Sequence, residues 1–105
     1  MPDALPIPPD LVQLQRTRIA AETAVAEYIS RVDAQRRELH PDPEQALERA
    51  AWSEDESAEL GRLRAERDEF GRAVRQHPVL VQAREQGVLW PTWDALQDAT
   101  RASAS

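Results

Sequence analysis

The chain has 105 residues, 41% of them hydrophobic, a formal net charge of −6 and no cysteine. That length bounds it to one domain with a thin core, since much of the apolar content is alanine and the aromatics are three Trp, one Tyr and one Phe. The composition excludes a disulfide framework, a thiol nucleophile and a Cys-ligated zinc site, and the acidic balance argues against nucleic-acid binding, which needs a concentrated positive face. No apolar run approaches the roughly 20 residues of a membrane span, and the N-terminus lacks a signal-peptide pattern, so a cytoplasmic protein with no membrane contact is expected. All 13 basic residues are arginine. A GC-rich, actinobacterium-like genome accounts for that and for the many alanines, because the arginines are scattered and not grouped as a binding site requires.

Residues 1–9 hold Pro2, Pro6, Pro8 and Pro9 and read as an extended N-terminal tail, poorly ordered unless something docks it. Asp10 is placed to cap a helix starting at Leu11. From there Leu11, Leu14, Ala21, Val25, Tyr28, Ile29, Val32 and Leu39 share one face at about 100° per residue. A second, narrower stripe carries Val12, Ile19 and Ala26. One stripe serves the intramolecular core. Two stripes imply a second neighbour, so Val12, Ile19 and Ala26 are candidate partner-binding residues.

His40-Pro41 ends this helix, because the residue before proline is pushed out of the α region. Asp42-Pro43-Glu44-Gln45 is a restart signal, with Asp42 as cap, Pro43 at the first helical position and Gln45 closing a capping box. Ser53 and Glu56 form a second such box. The phase of Leu47, Ala50 and Ala51 opposes that of Leu60, Leu63, Phe70 and Val74. A short helix over Pro43 to Ala51, broken near Trp52-Ser53 and facing the other way, explains that mismatch. The following helix runs over residues 53–77, with Leu60, Leu63, Arg67, Phe70, Val74 and His77 close to a heptad seam.

Pro78 opens a short helix that Gly87 stops in the left-handed region. Val88-Leu89-Trp90-Pro91 reads as an apolar connector, and Thr92 as the cap of a last helix from Trp93 to about Arg101, burying Trp93, Leu96 and Ala99 or Thr100. Residues 102–105 read as a frayed tail. No stretch alternates with the period of a strand. The expected fold is therefore all-α: an antiparallel, coiled-coil-like helical hairpin with short C-terminal helices packed over one end, forming a single domain over residues 10–101.

The chemistry-bearing residues are few. His40, Asp42 and Glu44 are metal-ligand types on one turn, but their density is ordinary for a helix start, and no metal or other cofactor is expected. The acidic group Glu54, Asp55, Glu56 and Glu59 reads as a solvated face with neighbouring arginines. No serine sits in a glycine-flanked turn, and three glycines make no phosphate loop. Gly61 and Gly71 interrupt the second long helix, through drift or through close approach of another helix backbone. Arg18, Arg36 and Arg67 lie on or beside the apolar seams. They either snorkel to solvent or make a polar layer that holds an anion. The Trp90-Pro91-Thr92-Trp93 string is either core filling or a partner-facing patch.

The function these features point to is non-enzymatic: a small helical interaction or regulatory protein that binds a protein partner, with a homodimer as the first expectation. The alternative is a small helical ligand-binding protein or enzyme using Arg18, Arg36 and Arg67 to hold an anionic metabolite.

Overall fold

The computed structural model describes residues 3–103, and these form five α-helices with no strand among the described residues. Helix α1 is Pro9–Leu39, α2 Ala46–Ala50, α3 Glu54–Arg75, α4 Pro78–Glu85 and α5 Leu89–Ser103, with a 3-10 turn at Pro43–Gln45 ahead of α2. The two long helices, α1 and α3, pair as a helical hairpin and the short helices follow them, as the apolar phase predicts.

The chain divides into two compact units, and each long helix contributes to both. The first unit holds the described residues up to Ala20 and those from Asp68 onward. Its core is Leu11, Val74, Leu80 and Leu96, each at most 1% exposed, with Ile7, Val12, Leu14, Val79, Leu89 and Trp93 packed against them. Val12, expected on a partner-facing stripe, is half-buried against this core. The N-terminal segment docks on the same core through two of its residues. Ile7 joins the core, and the Leu5 amide donates to the Thr92 hydroxyl at 3.0 Å. Met1 and Pro2 lie outside the described residues.

Three boundaries differ from the sequence expectation. Helix α1 starts at Pro9, because the Pro8 carbonyl accepts from the Leu11 and Val12 amides and proline suits the first helical position. Asp10 therefore lies inside the first turn and is freed from capping. Helix α5 starts at Leu89, so the expected connector is helical and Thr92 is no cap. The Thr92 amide donates to the Val88 carbonyl, and Pro91 falls among the first helical positions, where a missing N–H costs nothing. At the other end α5 runs through Ala102 to Ser103, and residues 104–105 lie outside the described part.

Gly87 ends α4 as expected, with φ +72°. The Gly87 amide donates to the Arg84 carbonyl and the Val88 amide to the Ala83 carbonyl, the paired bonds of a Schellman motif. Ala83 and Val88 are both buried, which supplies the apolar contact that accompanies the motif.

The second unit runs from Ala21 to Arg67. Val25, Val32 and Leu60 are its buried apolar residues. Trp52, in the break between α2 and α3, meets Tyr28 of α1 edge to face at 6.0 Å between centroids and 65° between planes. Both restart signals form. The Asp42 carboxylate accepts from the Glu44 amide while the Gln45 side chain accepts from the Asp42 amide. Ser53 and Glu56 exchange the same pair of bonds at 3.1 and 2.8 Å. Helix α2 faces away, as its phase predicts, and leaves Leu47 84% exposed. Leu39, expected on the buried face of α1, is 67% exposed. It is the last residue of that helix.

The glycines of α3 do not mark a helix crossing. A Cβ built on Gly61 meets nothing within 4 Å, and one on Gly71 meets the Arg75 guanidinium at 3.2 Å. Close backbone approach therefore does not explain Gly61. At Gly71 the neighbour is the flexible end of a side chain from the same helix.

Candidate interaction surface

The Trp90–Trp93 string holds one packed and one exposed indole. Pro91 and Thr92 place the two indoles in the first turn and a half of α5, three positions apart. Trp93 packs on the core of the first unit, whereas Trp90 is 74% exposed. Thr92, between them, is fully buried. The helix is anchored on one side, and an indole is held outward on the other. Trp93 also borders a shallow polar concavity with Asp94, Gln97, Asp98 and Arg101.

The second stripe of α1 is only partly open. Val12 is half-buried against the core, Ile19 is 38% exposed and Ala26 is exposed. Among the large apolar side chains of the described residues, Leu39, Leu47 and Trp90 are more exposed than Ile19.

The seam arginines are each engaged within the fold. Arg18 Nε donates to the Gln15 side chain at 2.8 Å, and Gln15 in turn donates to Gln97 of α5 at 3.4 Å. Gln15 is 0% exposed and continues the Leu11 face one turn on. Its spacing signalled burial, but its polarity left it out of the apolar pattern. Arg36 forms an ion pair with Glu56, the residue that also closes the α3 capping box. Its Nε is buried with no hydrogen-bond partner, so the guanidinium is positioned by this pair and by packing. Arg67 is half-buried and also has a partner within the fold.

The acids are used in the same local way. The Ser53 amide, the Ser53 hydroxyl and the Arg36 guanidinium hold the Glu56 carboxyl below the usual glutamate range. Hydrogen bonding to Arg62 does the same for Glu59. Arg62 bridges Glu59 at 2.6 Å and Glu66 at 2.9 Å along exposed α3, the i,i+3 and i,i+4 pairs of a solvated face.

The two histidines lie at helix junctions. His40 and Asp42 present their carbonyl oxygens to Arg49 Nη1, at 2.7 and 2.6 Å, which ties α2 back to the turn. The Asp42 carboxylate is committed to its cap, and no group of three metal-ligating side chains is present among the described residues. His77 caps α4 through Nδ1, which accepts from the Val79 amide at 3.1 Å. Its Nε2 lies 3.0 Å from Asp10 Oδ2. That hydrogen bond from His77 holds the Asp10 carboxyl below the usual aspartate range. The sequence showed His77 on the α3 seam and Asp10 at the helix start, but only antiparallel pairing brings them together.

No protein-family model matches the chain, and neither a curated protein nor a solved structure matches it. No helix among the described residues is long and apolar enough to cross a membrane.

Proposed function

We propose that this chain is a non-enzymatic helical interaction protein that binds a protein partner, with a second copy of itself as the first occupant to test. The observation that carries this reading is Trp90, 74% exposed on a helix whose next turn is locked into the core. Burying such a side chain is worth about 2–3 kcal/mol, which the isolated chain leaves unused. Tryptophan is also the residue most enriched among those that dominate binding energy. Leu47, 84% exposed on α2, supports the same reading from the second unit. The reading includes a regulatory or adaptor role in the cytoplasm, where a sequence without cysteine needs no oxidising compartment.

Sedimentation equilibrium from about 1 to 500 μM tests the self-association. The proposal expects a reversible monomer–dimer equilibrium. Trp90→Ala removes about 2–3 kcal/mol per buried indole, enough to weaken association well over tenfold. A wild-type chain that stays monomeric across the range, with Trp90→Ala indistinguishable from it, rules out the homodimer.

A further inference from the structure

His77 makes two hydrogen bonds that together fix its protonation state. Nδ1 accepts from the Val79 amide, so it carries no proton. Nε2 faces a carboxylate oxygen of Asp10, so it carries one and donates. Only the neutral Nε2–H tautomer satisfies both. The other neutral tautomer loses both bonds, and the imidazolium keeps the Asp10 bond while presenting a second N–H to the Val79 N–H.

We infer that His77 is a proton-sensitive clasp: neutral, it fastens the start of α4 to the start of α1, and on taking up a proton it releases the Val79 amide and uncaps α4. The ring is well placed for such a role. Its side chain is 12% exposed, so solvent protons reach it while its rotation is restricted. The packed elements present few competing charges. From α1 the facing group is Asp10, whose carboxylate accepts from Nε2–H. From α3, Arg72 and Arg75 lie in the last turn and are both exposed. Helix α4 has no acidic residue in its first turn, and its Arg84 and Glu85 lie at the far end. Asp3 of the N-terminal segment is exposed. The N-terminal end of α4 is itself the positive end of the helix dipole and opposes a cation at the cap. Protonation therefore strengthens the tie to α1 and breaks the tie to α4, so the two helix starts respond in opposite senses. This is a local uncapping at the junction that carries Val79 and Leu80 into the core, and it does not depend on the interaction proposed for Trp90.

Amide hydrogen exchange by NMR on the full chain from pH 8 to 5, corrected for the intrinsic rate, is the test, because imidazoles change charge over this interval. The Val79 amide is expected to lose about fivefold in protection across it, the loss of one helix cap of about 1 kcal/mol. The Leu96 amide, in the same core, should hold constant and so exclude global opening. His77→Asn keeps a cap acceptor at every pH and should abolish the change at Val79. Asp10→Asn still presents a side-chain oxygen to Nε2–H and leaves the His77 cap in place, so the change at Val79 should persist in it. It also serves as the informative variant if His77→Asn fails to fold. Constant Val79 protection in the wild type overturns the inference, as does an equal fall in His77→Asn.

Discussion

Replacing Thr92 by valine asks whether one hydroxyl holds the N-terminal segment on the domain. Thr92 is 0% exposed, and its Oγ1 accepts from the Leu5 amide at 3.0 Å. Valine keeps the volume and the branch at Cβ, and its helix propensity is close to that of threonine, so neither a cavity nor a helix penalty enters. What is lost is the acceptor. A typical hydrogen bond contributes about 0.5–1.5 kcal/mol net, and an orphaned buried donor costs about 1–3 kcal/mol. Leu5 is only half-buried, so water reaches its amide once the segment loosens, and the lower part of that range applies. A loss of about 1 kcal/mol corresponds to a fall of about 4–8 °C in Tm for a domain of this size. The assay is paired: thermal unfolding by circular dichroism, and exchange of the Leu5 amide. Thr92→Ser retains the hydroxyl and should keep the Leu5 amide protected, although it loses a buried methyl. If Thr92→Val unfolds within 0.3 kcal/mol of the wild type and the Leu5 amide stays protected, the hydroxyl is not the anchor and Ile7 burial alone docks the segment.

Other consequences are equally direct. Gly61→Ala should stabilise the chain by about 0.5–1 kcal/mol in urea unfolding, because the new methyl meets nothing within 4 Å on a helical backbone. An unchanged or lower midpoint would show that the site is not an ordinary helix interior. Gly71→Ala should gain less, since Arg75 must shift from 3.2 Å to admit the methyl. Glu56→Ala should lower Tm more than Glu59→Ala. It removes both the α3 cap at Ser53 and the partner of Arg36, whose Nε already lacks a hydrogen bond, whereas Glu59 leaves only an exposed pair with Arg62. Equal effects would show that neither the cap bond to Ser53 nor the pair with Arg36 adds beyond an exposed ion pair. Acid should destabilise the fold through Asp10, Glu56 and Glu59, whose folded-state values all lie below the ordinary ones. Their contribution is fully present above the ordinary carboxylate range, about pH 4, and is lost as pH falls through and below it. The urea midpoint measured from pH 6 to 2 should fall on that side, and a midpoint that rises would contradict the assignments.

The hairpin was legible because its signals are local. A 3.6-residue phase fixes which face of α1 and α3 is buried. Asp42-Pro43-Glu44-Gln45 and Ser53-Glu56 each announce a helix start within four residues, and Gly87 announces a stop. The failures came where two local signals competed or where a partner arrives from far along the chain. Thr92 carries a capping residue's side chain directly after a proline, but Val88 lies one turn earlier and its carbonyl takes the Thr92 amide. The hydroxyl was then available for Leu5, 87 residues away. Asp10 repeats the case: Pro8 and Pro9 start the helix without it, and its carboxylate turns to His77.

The surface was less legible than the fold for a related physical reason. Apolar periodicity marks a residue as fit for burial but does not say against what. Val12 and Ile19 share a stripe at one spacing, yet α5 and the N-terminal segment, which the pattern of α1 does not encode, help to build the core that covers Val12. Trp90 and Trp93 are the same residue three positions apart, and only the start of α5 at Leu89 decides which one faces the core. The side of α5 that packs is fixed by Leu96 and Thr100, each one turn or two beyond Thr92. Trp93 lies beside that line and is half-buried, whereas Trp90 lies across the helix from it. An exposed indole on a rigidly docked helix is thus a consequence of register. The self-association proposed for it requires no change in the fold, so mutations at Trp90 should alter association while leaving the unfolding free energy of the dilute chain within about 0.5 kcal/mol of wild type.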